Sequence, residues 1–538
     1  MSSDKFLRGA MILTLAGLMV KVIGSVNRIL LSRLLGGEGI GLYQMAYPVY
    51  LLLLAISAAG IPVAISIIVA GFLAQKDYAN VRQVFRVSLR LMACVGAVLA
   101  VCLVLAAGWL VDAGVITDAR AYYSLIALTP AIFFATILAS FRGYFQGHQL
   151  MTPPAVSQIV EQFIRVVTMV VLAVSQIVEQ FIRVVTMVVL AYVLLPYGLE
   201  YAAAGAAFGA VPGSLTGLVV MGCFYRYYRK QWQTDAVKMQ APAAELVRSR
   251  ALIKRLLLLA LPVSCANILV PVTSSIDVLL VPGRLIDSGL SVEQATAQFG
   301  YLAGMAQPLL LMATIPTMSL ATSLVPAVSE AFALNKWQII EQKAATAMKL
   351  CCLITVPASV GMWVLAEPIS RLLYGTAKAS VAIMHSAPAI CLLGLQQVTT
   401  GMLQGMGHTN LPMLNMLIGI AAKLVAVLQL TNAEYGIAGA AWATNINFGV
   451  TALLNIIALY KFSIRFSWLS IAKIIAAAAV MGAVAVEAHV LLGGASPALA
   501  TIAAMLAAGI SYIILLPLLG VLNRQDLRQL PVVKRFFK

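Results

Sequence analysis

Residues 200–208 read EYAAAGAAF, and residues 434–442 read EYGIAGAAW. Each opens an apolar run that closes on aromatic and basic residues, over 224–230 in the first and 460–465 in the second. A second matched pair lies upstream: Gly143-Tyr-Phe-Gln146-Gly147 and Gly401-Met-Leu-Gln404-Gly405, each soon followed by a proline, Pro153 or Pro412. Two landmarks in the same order predict two related helical bundles. If each bundle holds six helices, an even number, both halves enter the membrane in the same sense, and the axis relating them runs along the membrane normal. A pair of halves with a central site between them is a transporter architecture.

Composition agrees. Of 538 residues, 62% are hydrophobic and only 10% are charged, with mean hydropathy +0.96. Soluble domains carry roughly 25% charged residues. Apolar stretches of about 20 residues recur along the whole chain, each long enough to cross about 30 Å of hydrocarbon. In lipid the backbone must satisfy its own hydrogen bonds, so these runs read as helices. The expected fold is an all-α integral membrane protein with about fourteen spans: two parallel six-helix lobes plus two C-terminal helices. The lobes fall at 1–230 and 256–465, joined by a basic linker at 231–255 and followed by two helices and a basic tail at 466–538. The stretch 226–255 reads as a loop. The first apolar run continues too far, and carries too many charges, for a cleaved signal peptide, and reads as a helix that stays.

Charge sets the orientation. With the N-terminus inside, the outer segments hold only Arg33, Arg120, Arg284, Arg371 and Lys378. Lys21, Arg28, Arg165, Arg183 and Lys423 lie within helices, and the rest of the 36 Lys and Arg fall on the inner side. That asymmetry places both termini in the cytoplasm. The net charge of +17 is thus a topology signal rather than a nucleic-acid surface, with contact to anionic membrane lipids secondary. The seven cysteines lie in apolar runs without a C-x-x-C pair or a His cluster, which argues against metal or disulfide chemistry. No P-loop, Ser-His-Asp arrangement or HExxH occurs, so the chain reads as a secondary transporter and not an enzyme. No cofactor is expected beyond a coupling Na⁺ or H⁺. Nothing in the sequence indicates an oligomeric state.

A second repeat is local and identical. Residues 155–172 read AVSQIVEQFIRVVTMVVL, and residues 173–190 read the same. The Gly147–Gly205 interval exceeds its counterpart Gly405–Gly439, and removing one copy brings the two nearly level. One copy is therefore an insertion. At about 100° per residue, the ~18-residue shift is about five whole turns and returns to the same helix face. The enlarged segment 154–193 would make about 60 Å of helix, about twice the hydrocarbon thickness. Two crossings here would put every later basic loop outside, so the charge pattern requires one.

Charged residues inside spans are the candidate functional groups, since each costs several kcal/mol in lipid. Lys21, Ser25 and Arg28 share one face of the first helix, with Asn27 beside them, as the wall of a hydrated cavity would. Snorkelling to the interface can explain Arg33 and Arg28 but poorly explains Lys21. Glu161 with Arg165, and Glu179 with Arg183, are i,i+4 pairs, serving either structure or substrate. Asp277 follows Asn267 and Thr273-Ser274-Ser275, and suits either a coupling cation or a packing hydrogen bond. Lys423 is a further cavity candidate.

Several stretches carry a family resemblance: Lys21-Val-Ile-Gly24-Ser-Val-Asn27-Arg28, Gly39-Ile-Gly-Leu-Tyr43-Gln44, Gly60-Ile-Pro62-Val-Ala-Ile-Ser66, Arg142-Gly-Tyr-Phe-Gln146-Gly147, Pro153 through Glu161-Gln162-Phe-Ile-Arg165, and Leu261-Pro262 to Ile276-Asp277. Over nearly its whole length the chain resembles the stage V sporulation protein B-like polysaccharide-biosynthesis transporters, within the superfamily of multidrug, oligosaccharidyl-lipid and polysaccharide exporters. The resemblance implies export of undecaprenyl-linked cell-wall or polysaccharide precursors across the cytoplasmic membrane by alternating access. It also implies a lipid-linked glycan as partner, and basic cavity residues that meet its pyrophosphate, with Lys21 and Arg28 at or beside such positions. A basic residue that the related lipid II flippases carry in the eighth helix has no counterpart in residues 301–308, YLAGMAQP. Multidrug export on the same fold and a non-transporting scaffold are the competing readings. The first would need an acidic cavity and the second an interaction domain.

The duplication makes a direct prediction. If the second copy holds the family position, the first projects on the cytoplasmic side. A cysteine at position 157 should then react with a cytosolic maleimide while one at 175 should not. Equal protection of both, or a C-terminus found outside, removes the one-crossing arrangement.

Overall fold

The computed structural model describes residues 2–58, 60–75, 77–149, 158–238, 246–492 and 496–521; side chains at 2–22, 74, 149, 158–170, 228–238, 262, 263, 265–267 and 270 lie outside the description. Among the described residues all regular structure is helical. Eleven helices among the described residues are long and apolar enough to cross a membrane, or twelve if one bent pair counts as a span. The chain divides into two compact units, residues 1–282 with 292–300, and residues 283–291 with 301–538.

The first unit holds α1 (Ser2–Ala58), α2 (Ile61–Ala74), α3 (Tyr78–Asp112), α4 (Ala121–Gln149), α5 (Gln158–Leu194), α6 (Leu199–Phe208), α7 (Ala210–Lys238), most of α8 (Ser249–Asp287) and α9 (Val292–Phe299). Gly36, at φ 67° and ψ −170°, breaks α1 into two helices. That left-handed geometry is open to glycine and costly for other residues. Beyond the break, Arg120 bonds Glu38 at 2.6 Å and Asp118 at 2.8 Å, while Thr296 Oγ1 donates to Asp118 at 2.8 Å. One guanidinium and one carboxylate thereby tie the second half of α1, the turn before α4, and α9. An aromatic cluster packs the opposite end: the Phe85 ring lies 5.1, 4.5 and 4.6 Å from those of Phe141, Tyr144 and Tyr225. Leu252 and Leu256 of α8 join this core, as do Val171 and Leu172 of α5.

The second unit holds α10 (Gln307–Ala313), α11 (Ile315–Ala333), α12 (Trp337–Val364), α13 (Ala366–Tyr374), α14 (Ser380–Ser386), α15 (Pro388–Gly405), α16 (Asn410–Leu430), α17 (Gly436–Lys461), α18 (Trp468–Leu491) and α19 (Pro497–Leu518). A π-helical turn over Gly300–Ala306 leads into it.

One expectation changes. The stretch 226–255 is not simply a loop: α7 continues to Lys238 and α8 starts at Ser249. Polar residues do not end a helix when its turns run on from an apolar span, because the backbone ladder is already nucleated. The duplicated segment behaves as expected in one respect, since α5 is a single helix over Gln158–Leu194.

The matched glycines perform the same task in each unit. A methyl on Gly143 would meet Pro62 Cα at 2.7 Å, and one on Gly147 would meet Val69 Cβ at 2.7 Å, both on α2. In the second unit, methyls on Gly401 and Gly405 would meet the Ala321 and Val325 carbonyl oxygens of α11, each at 2.8 Å. Likewise Gly205 packs beside the Leu190 carbonyl of α5, and Gly439 directly against the Leu430 carbonyl of α16. Lipid tails are as apolar as leucine, so close backbone approach at small residues is what favours one helix pair over another.

Gly143→Leu and Gly401→Leu should each destabilise the purified protein by at least about 1–3 kcal/mol, the usual cost of overpacking. Gly108→Ala is the control: nothing lies within 4 Å of its added methyl. It should be neutral or slightly stabilising in thermal unfolding. Equal loss in all three would mean that close approach is not the cause.

Candidate functional site

The charged cluster of the first unit is built on a glycine ladder. Gly209, which caps α6, and Gly213 and Gly217 of α7 recur every fourth residue. Methyls there would come within 3.0 Å of the Arg183 carbonyl oxygen, 2.8 Å of Arg183 Cβ and 3.1 Å of Glu179 Oε2, respectively. The ladder thus receives the face of α5 that carries Glu179, Arg183 and Met187. All three belong to the second copy of the duplication. The link from α5 to α6 is only the 3₁₀ turn Leu195–Tyr197 and Gly198, so connectivity places this copy, not the first, beside α7.

Glu179 is 9% exposed and accepts from two helices. Arg142 of α4 bonds its Oε2 at 2.5 Å, and Arg183, one turn along α5, bonds its Oε1 at 2.8 Å. The Nε atoms of both arginines are buried and meet no acceptor. Across from them, Asn27 Nδ2 donates to Met187 Sδ at 3.3 Å, while Asn27 Oδ1 is buried without a donor. The break at Gly36 brings the two halves of α1 together, so that the Arg28 guanidinium lies 6.0 Å from the centre of the Tyr47 ring. That is cation–π range. Tyr47 stacks on Tyr43 at 5.3 Å and leans on Tyr50 at 5.8 Å. Cationic groups outnumber carboxylates here, and two guanidinium Nε donors have no partner among the described residues. The arrangement can bind an anion.

Of the residues singled out in the sequence, Asn27, Arg28 and Arg183 come together. Lys21 and Arg165 fall where side chains lie outside the description, as does Asn267. Lys423 is 1% exposed on α16 of the second unit, and Asp277 is 2% exposed on α8. Near Asp277, Thr273 and Ser275 return their hydroxyls to the Leu269 and Pro271 carbonyls at 2.9 and 3.0 Å. The expected Glu179–Arg183 pair is present. Sequence reasoning missed Arg142, which it counted among the inner-side basic residues, and the three tyrosines. Arg142 was detectable as the first residue of the Arg-Gly-Tyr-Phe-Gln-Gly stretch. Tyr43, Tyr47 and Tyr50 repeat at i, i+4 and i+7, a one-face signature. The Gly209–Gly213–Gly217 ladder was also legible as a helix-packing pattern.

Comparison with known proteins agrees with this architecture. The polysaccharide biosynthesis protein family matches twice, over residues 6–174 and 163–332, and the two matches overlap inside the duplicated segment. The MatE family matches residues 262–428. The chain is 30% identical to Stage V sporulation protein B of Bacillus subtilis (strain 168), over 99% of each chain. It is 26% identical to Lipid II flippase MurJ of the same organism, over 85% of this chain and 83% of that one. A solved structure of Lipid II flippase MurJ in an inward closed conformation superposes with TM-score 0.69 at 13% identity, covering 94% of this chain and 98% of the other, which shows the fold. Fold and relatives define a multi-pass membrane transporter of the multidrug/oligosaccharidyl-lipid/polysaccharide superfamily. Within it, the chain belongs to the polysaccharide biosynthesis protein family.

Because Glu179 balances two guanidiniums, Glu179→Gln should lower stability by about 3 kcal/mol, the scale for removing one partner of a buried ion pair. Glu161→Gln leaves the Arg142–Glu179–Arg183 contacts in place and should cost less. Chemical denaturation of the two variants in detergent checks the order. A larger loss from Glu161→Gln would show that the first copy fills the site.

Proposed function

We propose that the chain is a flippase that moves undecaprenyl-linked cell-wall or polysaccharide precursors across the bacterial cytoplasmic membrane by alternating access. The Arg28–Arg142–Arg183 cluster carries this reading. Its buried Nε donors and excess positive charge suit a diphosphate, which brings charge and acceptor oxygens together. The prenyl tail stays in lipid while the head group crosses. Lys21 and Lys423 are further substrate contacts in this proposal, with Asn27 as a neutral hydrogen-bonding partner. The relative named Lipid II flippase MurJ supports the substrate class.

The proposed topology has fourteen spans with both ends cytoplasmic. α1 counts as two across Gly36, α2 completes the second, α6 with α7 forms the sixth, and α9 to α11 make the eighth. The lobes are 1–230 and 256–465, joined through 231–255, with 466–538 trailing. Asp277 is the proposed site of Na⁺ or H⁺ coupling. Multidrug export is the second reading, favoured by the MatE match. A net-positive cluster opposes it, because cationic drugs meet like charge there.

Arg28 makes a cleaner test than Arg183, since removing it breaks no ion pair with Glu179. Arg28→Gln and Lys21→Ala should abolish transport at normal membrane levels, consistent with a loss of about 2–5 kcal/mol of binding when a charge partner is removed. Depletion of the protein should accumulate undecaprenyl-linked precursors on the inner leaflet. Unchanged transport in both variants sinks the assignment. Asp277→Asn should lose the dependence of transport on Na⁺ or pH; if that dependence persists, Asp277 is structural.

A further inference from the structure

Seven exposed cations gather where α3 and α8 begin. Arg82, Arg86 and Arg90 follow at four-residue intervals on one face of α3, and Arg248, Arg250, Lys254 and Arg255 surround the first turns of α8. Far apart in sequence, the two helix starts are bound together. Asn80 Oδ1 accepts from the Val247 N–H at 2.9 Å, and Gln83 Nε2 donates to Ser249 Oγ at 3.4 Å. The acidic residue at this end of α3, Asp77, is already engaged: it accepts from the Asn80 backbone N–H at 3.0 Å and from Asn80 Nδ2 at 2.6 Å. Among the described residues none of the seven cations pairs with a carboxylate.

The arginine face of α3 does not stop at Arg90. It continues through exposed Cys94 to Val98, Val101 and Leu105, which are 60%, 57% and 75% exposed. On α8, Lys254 and Arg255 lead into Leu257, Leu258 and Leu261, each at least half exposed. On a membrane protein, exposed aliphatic stripes of this kind face lipid tails. Each cationic cluster therefore sits at the end of a lipid-facing apolar stripe, at the depth of a head group. Orienting the chain requires basic residues near the ends of spans. It does not require them to share a face with the lipid contact, or to be joined across two helices by hydrogen bonds.

We propose that the start of α3 and the start of α8 together form a binding site for an anionic phospholipid. Its phosphate is held by Arg82, Arg86 and Arg90 with Lys254 and Arg255, and its acyl chains lie along the aliphatic stripes above. Guanidiniums suit this task because they bind phosphate oxygens in a bidentate manner and keep their charge. The site is separate from the Arg28–Arg142–Arg183 cluster.

Native mass spectrometry of the purified full-length protein in neutral detergent tests the site, with phosphatidylglycerol, phosphatidylcholine and inorganic phosphate as probes. Phosphatidylglycerol should be retained and phosphatidylcholine should not. Millimolar inorganic phosphate should leave the bound lipid in place. The triple change Arg82→Gln, Arg86→Gln, Arg90→Gln should weaken phosphatidylglycerol binding by about 100-fold, at about fivefold per cation near a membrane surface. Should the triple variant fail to fold, Lys254→Gln with Arg255→Gln should give about 25-fold on the same basis. Arg371→Gln, in an exposed pair with Glu367, should change nothing. Equal retention of the two lipids overturns the proposal, as does undiminished phosphatidylglycerol binding in the variants. Displacement by inorganic phosphate would mark a simple anion site, and capture of an acidic protein without lipid retention would mark a protein interface; either also overturns it.

Discussion

Glu179 can hold Arg142 and Arg183 only because Gly209, at the α6–α7 junction, and Gly213 and Gly217 of α7 make room where α5 crosses. Any side chain at those glycines would push α5 away by roughly the depth of a methyl group and open the ion pairs. In hydrocarbon an unpaired charge costs several kcal/mol, and no water replaces the lost partner. The glycine ladder therefore decides which face of α5 points inward. That in turn decides where the arginines, Asn27 and the tyrosines of α1 meet.

The same economy of small residues recurs in the second unit. Gly401 and Gly405 bring α15 onto α11 as Gly143 and Gly147 bring α4 onto α2, and Gly439 brings α17 onto α16 as Gly205 brings α6 onto α5. These repeated contacts are the physical content of the sequence repeat. The units differ where chemistry differs. The ion-paired arginine cluster belongs to the first, while the second buries polar groups chiefly as neutral hydrogen-bonding side chains. Asn415 donates to Asn455 at 2.9 Å, and Asn455 to Thr399 at 3.2 Å. Lys423, 1% exposed, is a buried charge in that setting.

Cations do three kinds of work in this chain, and their surroundings separate the kinds. Arg142 and Arg183 are inside spans, paired with a carboxylate and short of acceptors. Arg120 lies between spans and binds Glu38 and Asp118, fastening a turn to α1. Arg82, Arg86 and Arg90 are exposed, paired with no carboxylate among the described residues, and continuous with a lipid-facing stripe. A count of basic residues treats the last group as orientation alone and places Arg142 with it. Only the helix boundaries and the partners distinguish them.

The sequence by itself determined the class of fold, the helical landmarks shared by the two bundles, and the presence of intramembrane charge. These are properties of composition and period, because a span needs only enough apolar length and a repeat needs only self-similarity. It also showed that one copy of residues 155–190 is extra and that both copies present the same face. It left undecided which copy occupies the packed position, because the two are identical in every residue. Tertiary structure decided that. Val171 and Val189 occupy equivalent positions in the two copies, yet Val171 is 1% exposed in the aromatic core and Val189 is 52% exposed. The short turn from α5 to α6 puts the second copy beside the glycines of α7, so neighbours reached through the chain, rather than the residues themselves, assign identical side chains to different environments.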